Sequence, residues 1–178
     1  MTFEAAAKEW LEAVAERDKA YYCARWNVPY GGKIFAMRQH MEITSRHTIF
    51  GVKSEYGKAG TAAEYCFFVL CRDLTNEILE GYIQMLPQLA DNVTDCRNPN
   101  HDYTLISLVF VTEGLQDAAL KRKIRKFQLT HEFRKEDRQY GWNSCRICAF
   151  DLSGGTFTVS AHGGTLRDRL ASKANKGK

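Results

Sequence analysis

The sequence predicts a single α+β domain built on a largely antiparallel sheet of about six or seven strands, with an N-terminal helix and two internal helices. Its length, 178 residues, suits one domain. Its content of 44% hydrophobic and 26% charged residues is ordinary for a globular protein. The predicted strands also come in consecutive pairs, which favours antiparallel neighbours. We expect the domain to occupy residues 1–162 and the Gly-, Ser-, Lys- and Arg-rich residues 163–178 to form a basic, flexible tail.

Helical spacing over residues 3–20 predicts a helix at the start of the chain, with Thr2 as its N-cap. Turn-forming residues at 27–32 precede an alternating strand, Lys33 to Ile43. We expect residues 44–46 to turn the chain into a second strand, followed by a loop. The predicted bounds are 47–53 for that strand and 54–61 for the loop.

Two segments, Glu64 to Arg72 and Tyr103 to Val111, are apolar on both faces and are predicted to be central strands. Among their side chains we expect burial of Phe67, Val69, Leu105 and Val109. Between the two strands, a helix begins near Thr75 and is ended or kinked by Pro87. The remaining predicted elements are a polar loop at 91–102, a helix at 115–127, strands at 129–133 and 141–152, a hairpin turn at 153–155 and a strand at 156–160.

Charge is unevenly distributed along the chain. Residues 1–95 carry 10 basic and 13 acidic side chains, whereas residues 96–178 carry 15 basic and 8 acidic ones. A one-sided basic field raises the local concentration of anionic partners, of which phosphate backbones are the commonest. The alternative is a solvated helix face and a tail kept charged for solubility. The binding residues predicted from this cluster are Lys121, Arg122, Arg125, Lys126, Arg134 and Lys135.

The C-x-x-C formed by Cys145 and Cys148, together with Cys96 and His101, is the strongest metal-binding pattern in the sequence. On a strand, residues three apart point to opposite faces, so the two thiols of this motif cannot share a metal. A nuclease site with Lys two residues after an acid, a P-loop and an H-E-x-x-H motif are all absent from the sequence. We therefore predict no catalytic residue, metal or cofactor.

Three landmarks of the second half resemble an uncharacterised family of small bacterial α+β proteins. They are the strand opening His101-Asp-Tyr103-Thr104, the pair Gly141-Trp142 followed by Arg146, and Asp151-Leu152 before a Gly-containing hairpin. The resemblance covers residues 33–163 and supports the fold, but the family has no established activity. An acidic residue near the start of its first strand is replaced here by Ile34 and Phe35.

Because residues two apart on a strand share a face, His101 and Tyr103 are expected to form a polar cluster at one end of a central strand. With Trp142 and Arg146 they make the predicted small-molecule pocket.

The sequence has no apolar run long enough to span a membrane and no signal peptide pattern, so we expect a cytoplasmic protein. Our first hypothesis is a non-enzymatic binding protein whose basic half contacts a nucleic acid or nucleoprotein. Phage and plasmid inhibitors of host nucleases offer an analogy of size and charge. The second hypothesis is a hydrolase- or nuclease-like enzyme using the pocket near His101. The third is a homodimer joined through an edge strand at 33–43 or through the Trp10 helix.

Overall fold

A computed structural model of the chain describes residues 2–46, 48–49, 52–53 and 59–172. Its main feature is a seven-stranded sheet in the order β1-β2-β5-β6-β8-β7, in which β9 also pairs with β8. The strands of this sheet are β1 Cys23–Tyr30, β2 Lys33–Arg46, β5 Ala59–Leu70, β6 His101–Thr112, β7 Leu129–Glu132, β8 Trp142–Asp151 and β9 Thr156–Val159. Two short strands, β3 Thr48–Ile49 and β4 Val52–Lys53, form a separate antiparallel pair.

The sheet is mostly antiparallel, as predicted, but its centre is parallel. β5 pairs with β6, and β6 with β8, in parallel register, while the other four pairings are antiparallel. Parallel neighbours require a crossover, and helices supply both of them. The helices are α1 Phe3–Asp18, α2 Asn76–Ile83, α3 Leu86–Val93, α4 Ala118–Lys126 and α5 Gly164–Ala171. α2 and α3 connect β5 to β6, and α4 lies between β6 and β8.

The helices cover the two faces of the sheet in two groups. α2, α3 and α4 bury one apolar cluster, which includes Phe67, Val69 and Ile124. α1 and α5 bury a second cluster on the opposite face, which includes Val109 and Leu166. The predicted burial of Phe67, Val69 and Val109 is therefore confirmed, whereas Leu105 is only half-buried.

Local signals explain where several elements begin. The Thr2 hydroxyl accepts from the Ala5 backbone N–H at 3.3 Å and caps α1. Thr75 caps α2 in the same way through the N–H of Ile78. Pro87 lies in the first turn of α3, where a missing N–H costs nothing, so it opens a second helix after α2 has ended at Ile83.

Two sequence-based predictions for the first half are wrong. Residues 27–30 belong to strand β1, and only Gly31 and Gly32, both with positive φ, form the turn before β2. Pro29 is tolerated because β1 is an edge strand, where a missing donor breaks no central ladder. β2 continues through residues 44–46 without turning. The predicted strand at 47–53 and loop at 54–61 lie partly outside the described residues.

Two further corrections concern the helices. The described residues form three internal helices instead of two, because α2 and α3 are separate. The predicted flexible tail does not hold for residues 164–171, which form α5. Leu166 and Leu170 of this helix are 1% and 3% exposed and pack in the second apolar cluster. Within the part of the chain that the structure describes, no helix has the length and apolar character needed to cross a membrane.

Candidate functional site

The predicted basic cluster is formed mainly by α4. Asp117 caps this helix through the N–H groups of Ala119 and Leu120, and its inner side is held by the buried Leu120 and Ile124. Arg122, Arg125 and Lys126 are exposed and Lys121 is half-buried. We call the set Lys121, Arg122, Arg125 and Lys126 the α4 basic surface.

The cations of this helix differ in their partners. Lys123 forms an ion pair with Glu80 and donates to Asn76 Oδ1 at 2.7 Å, so its charge is already neutralised. Among the described residues, none of the four cations of the α4 basic surface forms an ion pair. Their charges therefore remain available to an external partner.

The two other predicted binding residues, Arg134 and Lys135, lie beyond the edge strand β7. Both are exposed, and Lys135 opens a single 3₁₀ turn. β7 runs from α4 to this turn along the edge of the sheet. All six predicted cations thus belong to consecutive segments, but Lys135 also borders a hollow of about 500 Å³ with Tyr103 and Trp142.

The structure divides the predicted pocket into two separate cavities. His101, Tyr103 and Trp142 line the hollow that Lys135 borders, where Tyr103 and Trp142 stack with ring centroids 5.1 Å apart. Arg146 lies instead in a neighbouring cavity of about 280 Å³, which it shares with Trp142 and Thr165. Trp142 is the one predicted residue that borders both.

His101 is a structural tie and not an exposed polar group. It is 6% exposed, and its Nδ1 lies 2.6 Å from the Tyr140 carbonyl oxygen while its Nε2 lies 2.9 Å from Thr104 Oγ1. The register of β6 against β5 shifts at this point, so the simple alternation that placed His101 and Tyr103 on one face fails. The two side chains consequently reach different partners, Thr104 and Trp142.

Gly141 explains how His101 can be held so closely. Its φ is +76°, and a Cβ atom there would lie 2.4 Å from the Asp102 carbonyl oxygen and 2.6 Å from His101 Nδ1. Only glycine combines that backbone conformation with that close approach. The His101 and Gly141 landmarks of the sequence are therefore in direct contact.

A group of charged side chains lies buried between the sheet and the pair α1–α5. We call Arg17, Asp18, Glu64, Arg146 and Arg169 the buried arginine cluster. Arg146 Nη2 donates to Glu64 at 2.7 Å and Arg169 Nη1 donates to Asp18 at 2.6 Å. Arg17 Nε donates to the other Asp18 oxygen at 2.7 Å. The cluster thus holds three guanidinium groups and two carboxylates.

Neighbouring side chains stabilise these buried charges. Burial opposes the charged form of Asp18, but hydrogen bonds and charges from Arg17 and Arg169 outweigh it and lower the pKa of Asp18. Burial likewise opposes the charge on Arg169, yet the groups around it, which include Cys66, Tyr22 and Glu64, raise the pKa of this guanidinium. Arg169 stays charged as a result.

Donors exceed acceptors in this region. Arg169 Nε and Gln39 Nε2 are buried and have no hydrogen-bond partner among the described residues. Of this cluster, only Arg146 was predicted from the sequence as a site residue. The one local signal was an arginine inside an apolar strand, since Arg169 fell in the predicted tail and Glu64 at a strand start.

The two cysteines of the C-x-x-C motif point to opposite faces of the sheet, which confirms that prediction. Cys145 packs in the cluster under α2–α4 and Cys148 in the cluster under α1 and α5. Burial raises the pKa of Cys145 to about 12 and that of Cys148 further, so both thiols are protonated at neutral pH.

Two features named for a homodimer contact have other neighbours within the chain. Residues 33–40 of β2 pair with β1 on one side, and β2 pairs with β5 on the other, so this part of β2 is not a sheet edge. Trp10 stacks on Phe150 at 4.5 Å and meets Phe68 at 6.2 Å, so its ring packs against the core. The homodimer stays a prediction.

Fold and site together define an α+β domain with an exposed basic helix on one face of its sheet and a buried arginine cluster on the other. The chain belongs to the family described as domain of unknown function DUF8052, whose model matches residues 6–172. The resemblance to an uncharacterised family is confirmed to that extent. No curated protein and no solved structure matches the chain.

Proposed function

We propose that this chain is a cytoplasmic binding protein whose α4 basic surface contacts the phosphates of a nucleic acid or nucleoprotein. The observation that supports the proposal most is the contrast within one helix: Lys123 is neutralised by Glu80, while the four outer cations have no ion-pair partner among the described residues. All six cysteines are free thiols, in keeping with a reducing compartment.

The geometry of α4 suits contact with a phosphate backbone. Leu120 and Ile124 anchor the helix to the core, so its cations project from a rigid support. Each phosphate that a protein neutralises releases counterions, which makes the affinity depend on salt. A chain that covers phosphates also shields them, so inhibition of a nucleic-acid enzyme is part of the proposal.

The second candidate function is a hydrolase- or nuclease-like enzyme acting in the hollow beside Tyr103 and Trp142. The stacked aromatic pair and the nearby Lys135 favour a ligand there. The geometry supports it less well, because both ring nitrogens of His101 are engaged and Arg146 lies in a different cavity. A general base would need a free nitrogen within reach of substrate.

The family's characteristic pattern, we infer, includes His101-x-Tyr103-Thr104 and Gly141-Trp142. What supports this is that the landmarks fix one another: His101 bonds Tyr140 and Thr104, and Gly141 leaves room for His101. Fold maintenance alone would then account for these residues.

The test compares two double charge reversals that change the net charge equally. Arg122→Glu/Arg125→Glu alters the α4 basic surface, whereas Lys8→Glu/Lys19→Glu alters the exposed Lys8 of α1 and the exposed Lys19 that caps its C-terminus, on the opposite face. Binding to labelled duplex DNA, single-stranded DNA and RNA is measured at several salt concentrations. With four phosphate contacts, the slope of log K against log salt on duplex DNA should approach about −3.6.

We expect the α4 reversal to abolish binding and the α1 reversal to weaken it only slightly. Equal losses in both variants would mean that only net charge matters. Absence of wild-type binding to all three nucleic acids, or binding indifferent to salt and to the α4 reversal, would overturn the proposal.

A further inference from the structure

We propose that the cavity at the start of α5 binds a small organic anion, a carboxylate or phosphate monoester that carries a flat ring. This α5 cavity has a volume of about 280 Å³ and is lined by Arg146, Thr165, Ser144, Trp142, Leu105 and other residues of β7 and the α5 approach. Its size is near the lower end of small-molecule sites. It lies on the face of the sheet opposite the α4 basic surface.

Arg146 supplies a positive charge to the cavity wall. Its side chain is 3% exposed, and its Nε and Nη2 donate to Ser107 and Glu64, neither of which lines the cavity. The third nitrogen, Nη1, has only a 3.4 Å contact with Thr165 Oγ1. Nη1 is therefore the guanidinium nitrogen that reaches a cavity-lining residue. An anionic oxygen between Nη1 and Thr165 would receive a charge-assisted hydrogen bond.

The charge balance of the buried arginine cluster favours an anion independently of the cavity's shape. Arg146 and Arg169 share Glu64, at 2.7 and 3.9 Å, while Arg169 and Arg17 share Asp18. One guanidinium charge is left without a carboxylate of its own in this group. Buried charge is costly unless it is compensated, and an anion beside Arg146 would compensate it.

The start of α5 adds a favourable dipole. Its N-cap, Gly163, makes no side-chain cap, and a Cβ atom there would lie 2.8 Å from Val159 Cβ and 3.1 Å from the Ser160 carbonyl oxygen. A capping side chain is thus excluded by contact. Thr165 lies in the first turn and also lines the cavity, so the positive end of α5 adjoins the cavity that Arg146 lines.

The opposite part of the wall suits a flat apolar body. Trp142 is 38% exposed. Leu105 lies in the central strand β6 but is only half-buried, because its side chain borders the α5 cavity. The hydroxyls of Thr130 and Ser144, 3.1 Å apart, lie on the wall as well. A ring against Trp142 and an anionic group against Arg146 would use both halves of the cavity at once.

The ligand class is tested on the full chain with four probes. Adenosine 5′-monophosphate and benzoate carry both a ring and an anion, adenosine carries only the ring, and inorganic phosphate only the anion. Thermal unfolding and the amide and indole NMR signals are followed during titration. We expect adenosine 5′-monophosphate and benzoate to shift the signals of Trp142 and Thr165 and to raise Tm. Adenosine lacks the hydrogen bond to a charged group and inorganic phosphate lacks the ring contact, so each should bind at least about tenfold more weakly.

Two variants locate the site without relying on Arg146, whose loss could unfold the chain. Thr165→Val keeps the side-chain shape and removes the hydroxyl, and should weaken the best probe about three- to tenfold. Arg122→Glu/Arg125→Glu should leave that affinity unchanged. Since this variant tests the proposed macromolecular interface, the two proposals fail separately.

Three results would overturn the inference. The first is no shift of Trp142 and Thr165 by any probe at millimolar concentration. The second is adenosine binding as tightly as the monophosphate. The third is an affinity of Thr165→Val equal to that of the wild type.

Discussion

The two faces of the sheet use arginine and lysine in opposite ways. Beneath α2–α4 the core cluster is built of apolar side chains, and the cations of α4 lie outside it in solvent. Beneath α1 and α5, guanidinium groups lie inside, with Arg146 at 3% and Arg169 at 18% side-chain exposure. An exposed cation costs the fold little and is free to bind, whereas a buried one must be matched by partners. The comparison predicts very different responses to substitution.

The largest expected effect comes from breaking the buried arginine cluster. Glu64→Ala removes the acceptor of Arg146 and of the Tyr22 hydroxyl, which lies 2.8 Å from it. Breaking a buried pair on one side should cost about 3–5 kcal/mol in the free energy of unfolding. Urea titration measures this loss. Glu42→Ala, at an exposed position of the neighbouring strand, is the control and should change stability by less than about 0.5 kcal/mol. Similar small losses in both variants would show that the cluster is not structural.

The second prediction concerns the close contact between Gly141 and His101. Gly141→Ala introduces a side chain at φ +76° with a 2.4 Å contact, whereas Gly155→Ala introduces one at φ +60° in open space. In the control, the free energy of unfolding should fall only by the roughly 1–2 kcal/mol that a side chain costs in the left-handed conformation. It should fall clearly more in Gly141→Ala, because the neighbouring backbone and His101 must also move. Equal melting temperatures for the two variants would contradict this account.

The expected pH dependence concerns His40, on the α2–α4 face. Burial and then the nearby Arg38 lower the pKa of His40 below its usual value, so the unfolded chain takes up this proton first. The stability that the neutral His40 contributes is therefore fully present above about pH 6.5, the ordinary histidine pKa. It is lost as the pH falls through the lower pKa that His40 has in the folded chain. His40→Phe keeps the stack on Tyr65, whose ring centroid is 4.3 Å away, and removes the proton. Its stability should vary less between neutral and mildly acidic pH than that of the wild type; an identical profile would refute the assignment.

The smallest effect should follow from Arg122→Glu/Arg125→Glu. Both side chains are exposed, so each reversal should change the free energy of unfolding by less than about 0.5 kcal/mol. Arg125 lies in the last turn of α4, where a basic group interacts favourably with the helix dipole, and it should account for most of any loss. Thermal unfolding of each single variant checks this. A loss comparable to that of Glu64→Ala would erase the distinction between the two faces.

Local sequence patterns were sufficient to predict the elements whose apolar residues recur with a clear helix or strand period. The Thr2 cap and apolar spacing predicted α1, and the doubly apolar segments predicted the cores of β5 and β6. β1 was missed because Asn27, Pro29 and the two following glycines indicate a turn locally, while pairing with β2 imposes a strand. The pairing with β2, and not the local sequence, therefore determined the conformation of that segment.

The buried arginine cluster could not be predicted because its contacts join distant parts of the chain. Arg169 and Asp18 are separated by 151 residues, and Arg146 and Glu64 by 82. The Lys- and Arg-rich composition after residue 163 indicated a tail and concealed the two leucines that bury α5. By contrast, the exposed side of α4 followed from helical spacing alone, since Leu120 and Ile124 fixed which side faces inward.

The most direct test of the central claim is an NMR titration of the full chain with duplex DNA at low salt. We expect the amide signals of α4 and of residues 134–135 to shift, and the signals of α1 on the opposite face to stay unchanged. Raising the salt should reverse the shifts, because they report phosphate contacts. Shifts concentrated on α1 and α5, or no shifts under conditions where binding is otherwise observed, would contradict the claim that the exposed cations of α4 form the binding surface.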